Sequence, residues 1–119
     1  MSNIHTIVHY EAEATVVECV ESKLSDEMTI QAWSEEVKKA IETTLAPTRV
    51  IVNFSRVRFM SSSALRALIT LRTLAASTRV PLILCNISEA NMEVFKITKL
   101  DSIFRIIATE TEARRAIVK

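Results

Sequence analysis

Hydrophobic and polar positions alternate with two different periods along the chain, and the changes of period divide it into strands and helices. The stretch "TIVHYEAEATVVECV" predicts two strands, at about 6–10 and 14–20, with a turn near 11–13. Two later runs, Val50 to Phe54 and "PLILC", are almost continuously apolar. Strands that are apolar on both faces are typical of the interior of a largely parallel sheet with helices on each side.

Two long segments instead repeat apolar residues at the spacing of one helical face. The first runs from Met28, with Ser25 and Asp26 available as N-caps, and Pro47 is expected to end it. The second is predicted over 62–77. The predicted buried faces consist of Ile30, Trp33, Val37, Ile41 and Leu45 in the first helix and Leu65, Leu68, Ile69 and Leu74 in the second.

The C-terminal third continues the alternation of strands and helices. Ser88 is placed to cap a third helix through about Thr98, and "IFRIIA" is a further strand. Thr109 and Glu112 have capping-box spacing, which predicts a short last helix with Ala113, Ala116 and Ile117 facing inward. The pattern predicts an α/β fold: one domain over 1–119, with a mostly parallel or mixed sheet flanked by about four helices.

Composition narrows the functional classes. The chain has 119 residues, 49% of them hydrophobic, and a formal net charge of +1. Such a balance gives no electrostatic case for a nucleic acid or a membrane surface as partner, since both need a basic face, and no stretch approaches the ~20 apolar residues of a membrane helix. Glycine is absent, which excludes Gly-rich phosphate loops and dinucleotide fingerprints. We expect a cytoplasmic protein that needs no cofactor.

The residues that most often carry chemistry are few. Cys19 and Cys85 each lie in an apolar strand segment without the paired spacing of a metal or redox site, so buried, reduced thiols are expected. His5 and His9 fall in an N-terminal strand, and no motif links them to a nucleophile. Trp33 is in phase with the buried face of its helix. The sequence therefore predicts neither a metal site nor an enzyme.

The motif "FMSSSALRAL" places three serines, Ser61, Ser62 and Ser63, between a strand and a helix. Serine is a common N-cap, and capping alone accounts for its presence there. The unpaired backbone N–H groups of a first helical turn also suit a phosphate, and Arg66 lies one turn later, within reach of Ser62 or Ser63. Capping and phosphate acceptance are both open interpretations.

The order of these motifs resembles a STAS domain, the family of bacterial anti-sigma factor antagonists and sulphate-transporter tails. The resemblance rests on "VIVNFSRVRFMSSSALRAL", "VPLILCNIS" and "FKITKLDSIFRIIATETEA" and extends from about residue 5 to 117. It implies a single STAS-like domain. Ser61 stands at the family Asp, Ser62 at its first serine, and Ser63 at the serine that is phosphorylated in switchable antagonists. Other matching positions are Phe59, Met60, Leu65, Thr98, Leu100, Asp101, Ile103 and Phe104.

Four positions depart from the family pattern. Ser61 removes the acid of the recognition loop, Ala64 and Lys99 replace glycines, and Arg66 takes a position often held by glycine. Ala64 falls in the first helical turn, where no positive φ is needed. A left-handed conformation at Lys99 would cost around 1 kcal/mol because of its Cβ.

The resemblance implies a regulatory protein-interaction module. In its unmodified form it would bind an ATP-dependent serine kinase that also acts as an anti-sigma factor, through Ser61, Ser62, Ser63 and Arg66. Phosphorylation of Ser63, or of Ser62, would break the complex. Two alternatives remain open: a scaffold subunit of a larger signalling assembly that is not switched, and a small-ligand or nucleotide-binding STAS module.

Overall fold

The computed structural model describes residues 5–45 and 48–116, which form an α/β domain. The helices and the strands of the main sheet lie close to their predicted positions, whereas two short strands, Lys23–Leu24 and Phe59–Met60, were not predicted. In chain order they are β1 (Thr6–Tyr10), β2 (Ala14–Cys19), β3 (Lys23–Leu24), α1 (Glu27–Thr43), β4 (Arg49–Asn53), β5 (Phe59–Met60), α2 (Ser62–Thr78), β6 (Leu82–Cys85), α3 (Glu89–Ile97), β7 (Arg105–Ile107) and α4 (Glu110–Arg115). A 3₁₀ turn, Leu100–Ser102, precedes β7.

Five of the strands form one mixed sheet in the order β1-β2-β4-β6-β7. β1 pairs antiparallel with β2, and the other pairs are parallel. β4 occupies the centre, where Val52 lies between Val17 of β2 and Leu84 of β6. Residues 50–53 are buried, as their apolar run predicts for an interior strand. The predicted α/β fold with about four helices is confirmed.

The two faces of the sheet are covered unequally. On one face α1, α2 and α3 pack on the main core, in which the ring of Trp33 contacts that of Phe54 with centroids 6.2 Å apart. On the other face a smaller cluster gathers under α4, around Ala113 and Ile51. The long helices therefore stand side by side on one face of the sheet.

Helix α1 is shorter at its C-terminal end than its apolar pattern predicts. It ends at Thr43, and the following Thr44 is extended and buried, with its hydroxyl donating to Ala40 O at 2.7 Å. This turn leaves Leu45 outside the core with 81% of its surface exposed, so its predicted burial is wrong. Pro47, expected to end the helix, and Ile117, expected to face inward from α4, lie outside the described residues.

Helix α2 starts at the predicted residue and ends at Thr78, one residue later than predicted. Leu65 and Leu68 are buried as expected, and Leu74 is half-buried. Ile69 is 37% exposed, so its predicted burial is wrong. The buried arc is completed instead by Ala64, Leu71 and Ala75, which follow the 3.6-residue period from Leu68.

Among the residues that the structure describes, three with a Cβ lie in the left-handed region. Arg79, Asn86 and Lys99 have φ angles of 61°, 57° and 63°. Arg79 follows α2, and Lys99 follows the end of α3, where many proteins carry glycine. The chain has no glycine, so Arg79 and Lys99 retain the steric cost of a Cβ in this conformation, which asparagine adopts more readily.

Candidate functional site

The start of α2 is held beside the start of α1 by a short second sheet. β3 and β5 pair in parallel, with Leu24 opposite Met60. The connection is continued by the N–H of Ser61, which donates to Leu24 O at 2.9 Å. Because β3 leads into α1 and β5 leads into α2, this pairing fixes the two helix starts relative to each other.

The three serines occupy three different environments. Ser61 is the N-cap of α2, and its Oγ accepts a hydrogen bond from the N–H of Ala64 at 3.3 Å. Ser62 opens the helix and is exposed, while Ser63 is half-buried. The first turn of α2 contains no acidic residue. The partly positive N-terminal end of this helix is therefore not compensated by a side chain of its own first turn.

A groove of about 340 Å³ runs between α1 and α2 and includes Ser63. Its lining combines an apolar floor with charged side chains from both helices. The lining residues that matter here are Glu27, Ile30 and Glu35 of α1 and Ser63, Arg66 and Ala67 of α2. The structure thus brings Ser63 and Arg66 together in one groove, beside two carboxylates.

The two carboxylates were not part of the sequence prediction. Glu27 directly follows the N-cap Asp26, and Glu35 lies two turns later, which by sequence alone is typical of a solvated helical face. Their position opposite Ser63 depends on how α1 packs against α2. No local pattern specifies that packing.

Two large apolar side chains are exposed near this groove. Phe59 of β5, two residues before Ser61, is 50% exposed, and Met28, next to Glu27 in the first turn of α1, is 83% exposed. Aromatic and methionine side chains are enriched at protein interfaces. Phe59 was matched to an apolar family position, but its exposure is visible only in the fold.

The remaining candidate residues lie elsewhere. Nδ1 of His5 lies 2.9 Å from a carboxylate oxygen of Glu21, His9 is exposed on β1, and neither lines the groove. Trp33 is buried, as predicted. Across residues 5–45 and 48–116, no group of three or more His, Cys, Asp or Glu residues is placed to hold a metal ion.

The cysteines are buried and free, as predicted. Burial raises the pKa of the Cys19 thiol to about 11 and the pKa of the Cys85 thiol to about 12. Both groups therefore remain thiols near neutral pH, which is the less nucleophilic form.

A polar cluster under α4 is explained by docking of that helix. Glu110 accepts hydrogen bonds from Asn53 at 2.8 Å and from Arg114 at 2.7 Å, and Arg114 also pairs with Glu11. Burial of Glu110 opposes its ionisation, but these hydrogen bonds outweigh that effect and lower the pKa of the carboxyl group. The cluster ties α4 to β4 and to the turn after β1.

Comparison with known proteins assigns the family. Residues 10–113 match the STAS domain. The chain belongs to the STAS domain family. None of the curated proteins matches this STAS domain in a sequence search. No helix within the part of the chain that the structure describes is long and apolar enough to cross a membrane.

Several solved structures share the fold. A STAS domain protein from Planctomyces limnophilus superposes with a TM-score of 0.82 at 23% identity, over 95% of this chain and 97% of that one. A putative anti-sigma factor antagonist from Thermotoga maritima gives 0.80 at 16% identity, over 95% and 94%. The phosphorylated form of the Bacillus cell fate determinant SpoIIAA gives 0.65 at 26% identity, over 91% and 95%.

Proposed function

We propose that this STAS domain is a regulatory protein-interaction module of the anti-sigma factor antagonist type, which binds an ATP-dependent serine kinase through the start of α2. The observation that carries the proposal is the exposed helix start itself, which is capped by Ser61 and has no acidic side chain in its first turn. The exposed side chains of Phe59 and Met28 provide apolar contact area near it. SpoIIAA, an anti-sigma factor antagonist, has been solved both unphosphorylated and phosphorylated.

A phosphate at this helix start would change the surface that a partner meets. On Ser63 it would lie beside the free N–H groups of the first turn and in the same groove as the guanidinium of Arg66. It would also face the carboxylates of Glu27 and Glu35, and the repulsion between these negative charges would disfavour this position of the phosphate. The phosphate would add about two negative charges, so a groove that now holds charges of both signs would become acidic. A partner that binds the unmodified groove would then be released.

Serine in place of the family aspartate at position 61 changes recognition rather than the capping of α2. Its hydroxyl caps α2 as an aspartate would, but without adding a charge to the helix start. The proposed partner therefore meets a neutral cap. We expect it to recognise the apolar side chains and Arg66 more than the cap.

We further propose that the module acts in the cytoplasm by binding rather than by catalysis. The hydroxyls at the start of α2 have no histidine beside them among the groove-lining residues, and both thiols are buried and protonated. A serine nucleophile needs an adjacent base, so these side chains favour binding.

The test uses the anti-sigma factor kinases of the organism that makes this protein. Each kinase is titrated with the full chain by calorimetry, and phosphate is mapped by mass spectrometry after incubation with ATP. We expect one kinase to bind, Ser63→Glu to weaken binding on the order of tenfold, and Ser63→Ala to retain it. Thr111→Glu is the matched control because Thr111 holds in α4 the position, two residues after the N-cap, that Ser63 holds in α2.

A scaffold that is not switched is the second candidate. It is favoured by the half-burial of Ser63 and by the two carboxylates in its groove, both of which oppose modification. It predicts partner binding with equal affinity for Ser63→Glu, Ser63→Ala and the unchanged chain. If no kinase binds any of these three forms, the proposed function is wrong.

A further inference from the structure

Charge is distributed unevenly around α2. From Phe54 to Ser88 the chain carries five arginines and no acidic residue. One of them, Arg56, pairs with Glu18 at 3.2 Å, and none of the other four forms a salt bridge within the described ranges. The whole of α2 lies inside this segment. The segment around α2 is therefore basic, although the net charge of the whole chain is close to zero.

The outer face of α2 consists of Arg66, Ile69, Thr70, Thr73 and Ser77, all of them exposed. The hydroxyls on this face donate to carbonyl groups of the same helix: Thr70 to Arg66 at 3.3 Å, Thr73 to Ile69 at 3.1 Å and Ser77 to Leu74 at 2.7 Å. Hydroxyls that are already bonded within the helix lose little when water is removed. A partner could therefore cover this face at low desolvation cost.

We propose that the outer face of α2 docks against a partner protein whose contact surface is apolar at its centre and acidic at its rim. Ile69 supplies the apolar centre, Arg66 a positive charge on the face, and Arg72 a second positive charge on the same helix. Arg72 is held in position because its Nε–H donates to Ile103 O at 2.8 Å. Acidic side chains on the partner would pair with the two guanidinium groups.

The charge of α2 also disfavours a second copy of this chain as the partner. An antiparallel pairing of two α2 helices centred on Ile69 would bring Arg66 of one copy near Arg72 of the other. Helix α2 contains no acidic residue that would compensate them. Like charges brought together at an interface disfavour it.

The inference rests on the proposed function and deepens it, because it names the chemistry of the partner and extends its contact along the helix. Ser77 follows Ser62 by fifteen residues, which is about 22 Å along an α-helix. The far end of the outer face can therefore be changed without touching the serines.

The test is an NMR titration of the full, ¹⁵N-labelled chain with a synthetic amphipathic helix. The probe has about 20 residues, with leucines along one face and glutamates flanking them, and the comparison peptide has lysines in place of the glutamates. We expect the acidic peptide to shift the amides of residues 66–77, and the lysine peptide to leave them in place. Binding should weaken as sodium chloride is raised to about 0.5 M, because exposed charge pairs are screened.

The deciding variant is Thr73→Glu, which places a negative charge at the centre of the face and should weaken the acidic peptide about fivefold or more. Thr43→Glu on α1 is its matched control, because Thr43 is also exposed and its hydroxyl donates to the carbonyl of Lys39, four residues earlier. We expect Thr43→Glu to leave peptide binding unchanged. Equal weakening of peptide binding by both variants would overturn the inference, because the loss would then depend on the net charge of the protein and not on the outer face of α2.

Other occupants give distinct results. Sedimentation that shows a dimer of the free chain, dissociated by Thr73→Glu, would replace the proposed partner with a second copy. A DNA duplex that shifts the same amides more strongly than the acidic peptide would replace it with a nucleic acid.

The peptide titration is measured independently of kinase binding. A kinase that binds while the peptide shifts nothing on α2 overturns only this inference, whereas a peptide that maps to α2 with no kinase bound overturns only the proposed function.

Discussion

Helices α1 and α2 have the same length, 17 residues, and lie side by side on one face of the sheet, yet their outward surfaces differ. α1 carries six charged side chains of both signs, whereas α2 carries two, both arginines. Their inner faces are alike because both pack on the same core. The difference shows that the core determines only half of each helix, and that the other half reflects whether the helix meets water or, as proposed for α2, a partner.

The N-caps of the two helices differ in the same way. Asp26 caps α1 with a carboxylate that accepts from the N–H of Thr29 at 3.0 Å, and Glu27 adds a second acid in the first turn. Ser61 caps α2 with a neutral hydroxyl. Both caps satisfy one free N–H, but only that of α1 adds negative charge at the helix end.

The largest expected effect separates the inside of α2 from its outside. Leu68→Ala should lower the free energy of unfolding by about 3 kcal/mol, because Leu68 is fully buried and its removal leaves a cavity. Ile69→Ala, at the next residue, should cost about 1 kcal/mol or less, because 37% of the Ile69 surface is exposed to water in the folded protein. Urea denaturation of both variants measures the contrast. Similar losses would mean that the outward face of α2 also belongs to the core.

An intermediate effect is expected at the cap of α2. Ser61→Ala should cost about 1 kcal/mol because the N–H of Ala64 loses its acceptor. Ser61→Asp should restore that stability at neutral pH, since an aspartate caps as well and α2 has no acid in its first turn. Thermal unfolding of the three proteins checks the order. An alanine variant as stable as the unchanged chain would show that this cap is not needed.

The smallest effect concerns the pH dependence of the two caps. Hydrogen bonds from Thr29 lower the pKa of Asp26 in the folded protein. The resulting stabilisation is present above the unfolded pKa of about 3.9 and is lost as the pH falls through the lower folded value. Asp26→Asn should therefore flatten the stability profile below about pH 4, and Ser61→Ala should shift the profile without changing its slope. Equal slopes for Asp26→Asn and the unchanged chain would contradict this assignment.

Local sequence signals predicted most of the fold. Helix α2 was predicted over 62–77 and ends one residue later, and the caps Asp26, Ser88 and Thr109 act as their sequence positions indicate. These features depend on residues within a few positions of each other. The resemblance to STAS domains also correctly identified the family.

Features that depend on distant contacts were missed or misplaced. The pairing of β3 with β5 involves two residues from each strand, too few to show a period. Leu45 fits the helical period of α1 but is exposed, because the buried hydroxyl of Thr44 donates to Ala40 O and ends the pattern first. The same limit applies to the site. The position of Arg66 near the serines could be predicted because they share one helix. Glu27 and Glu35 enter the groove from α1, and their position depends on how the two helices pack.

The left-handed residues Arg79 and Lys99 have a consequence for the evolution of this chain. Each holds a conformation that glycine adopts without a steric penalty of about 1 kcal/mol. A single substitution to glycine at either position should raise the melting temperature of the protein. It would leave the start of α2 and its outer face unchanged. The stability gained in this way would offset later substitutions on those two surfaces. Such substitutions could change which partner is recognised even if they lower the stability of the domain.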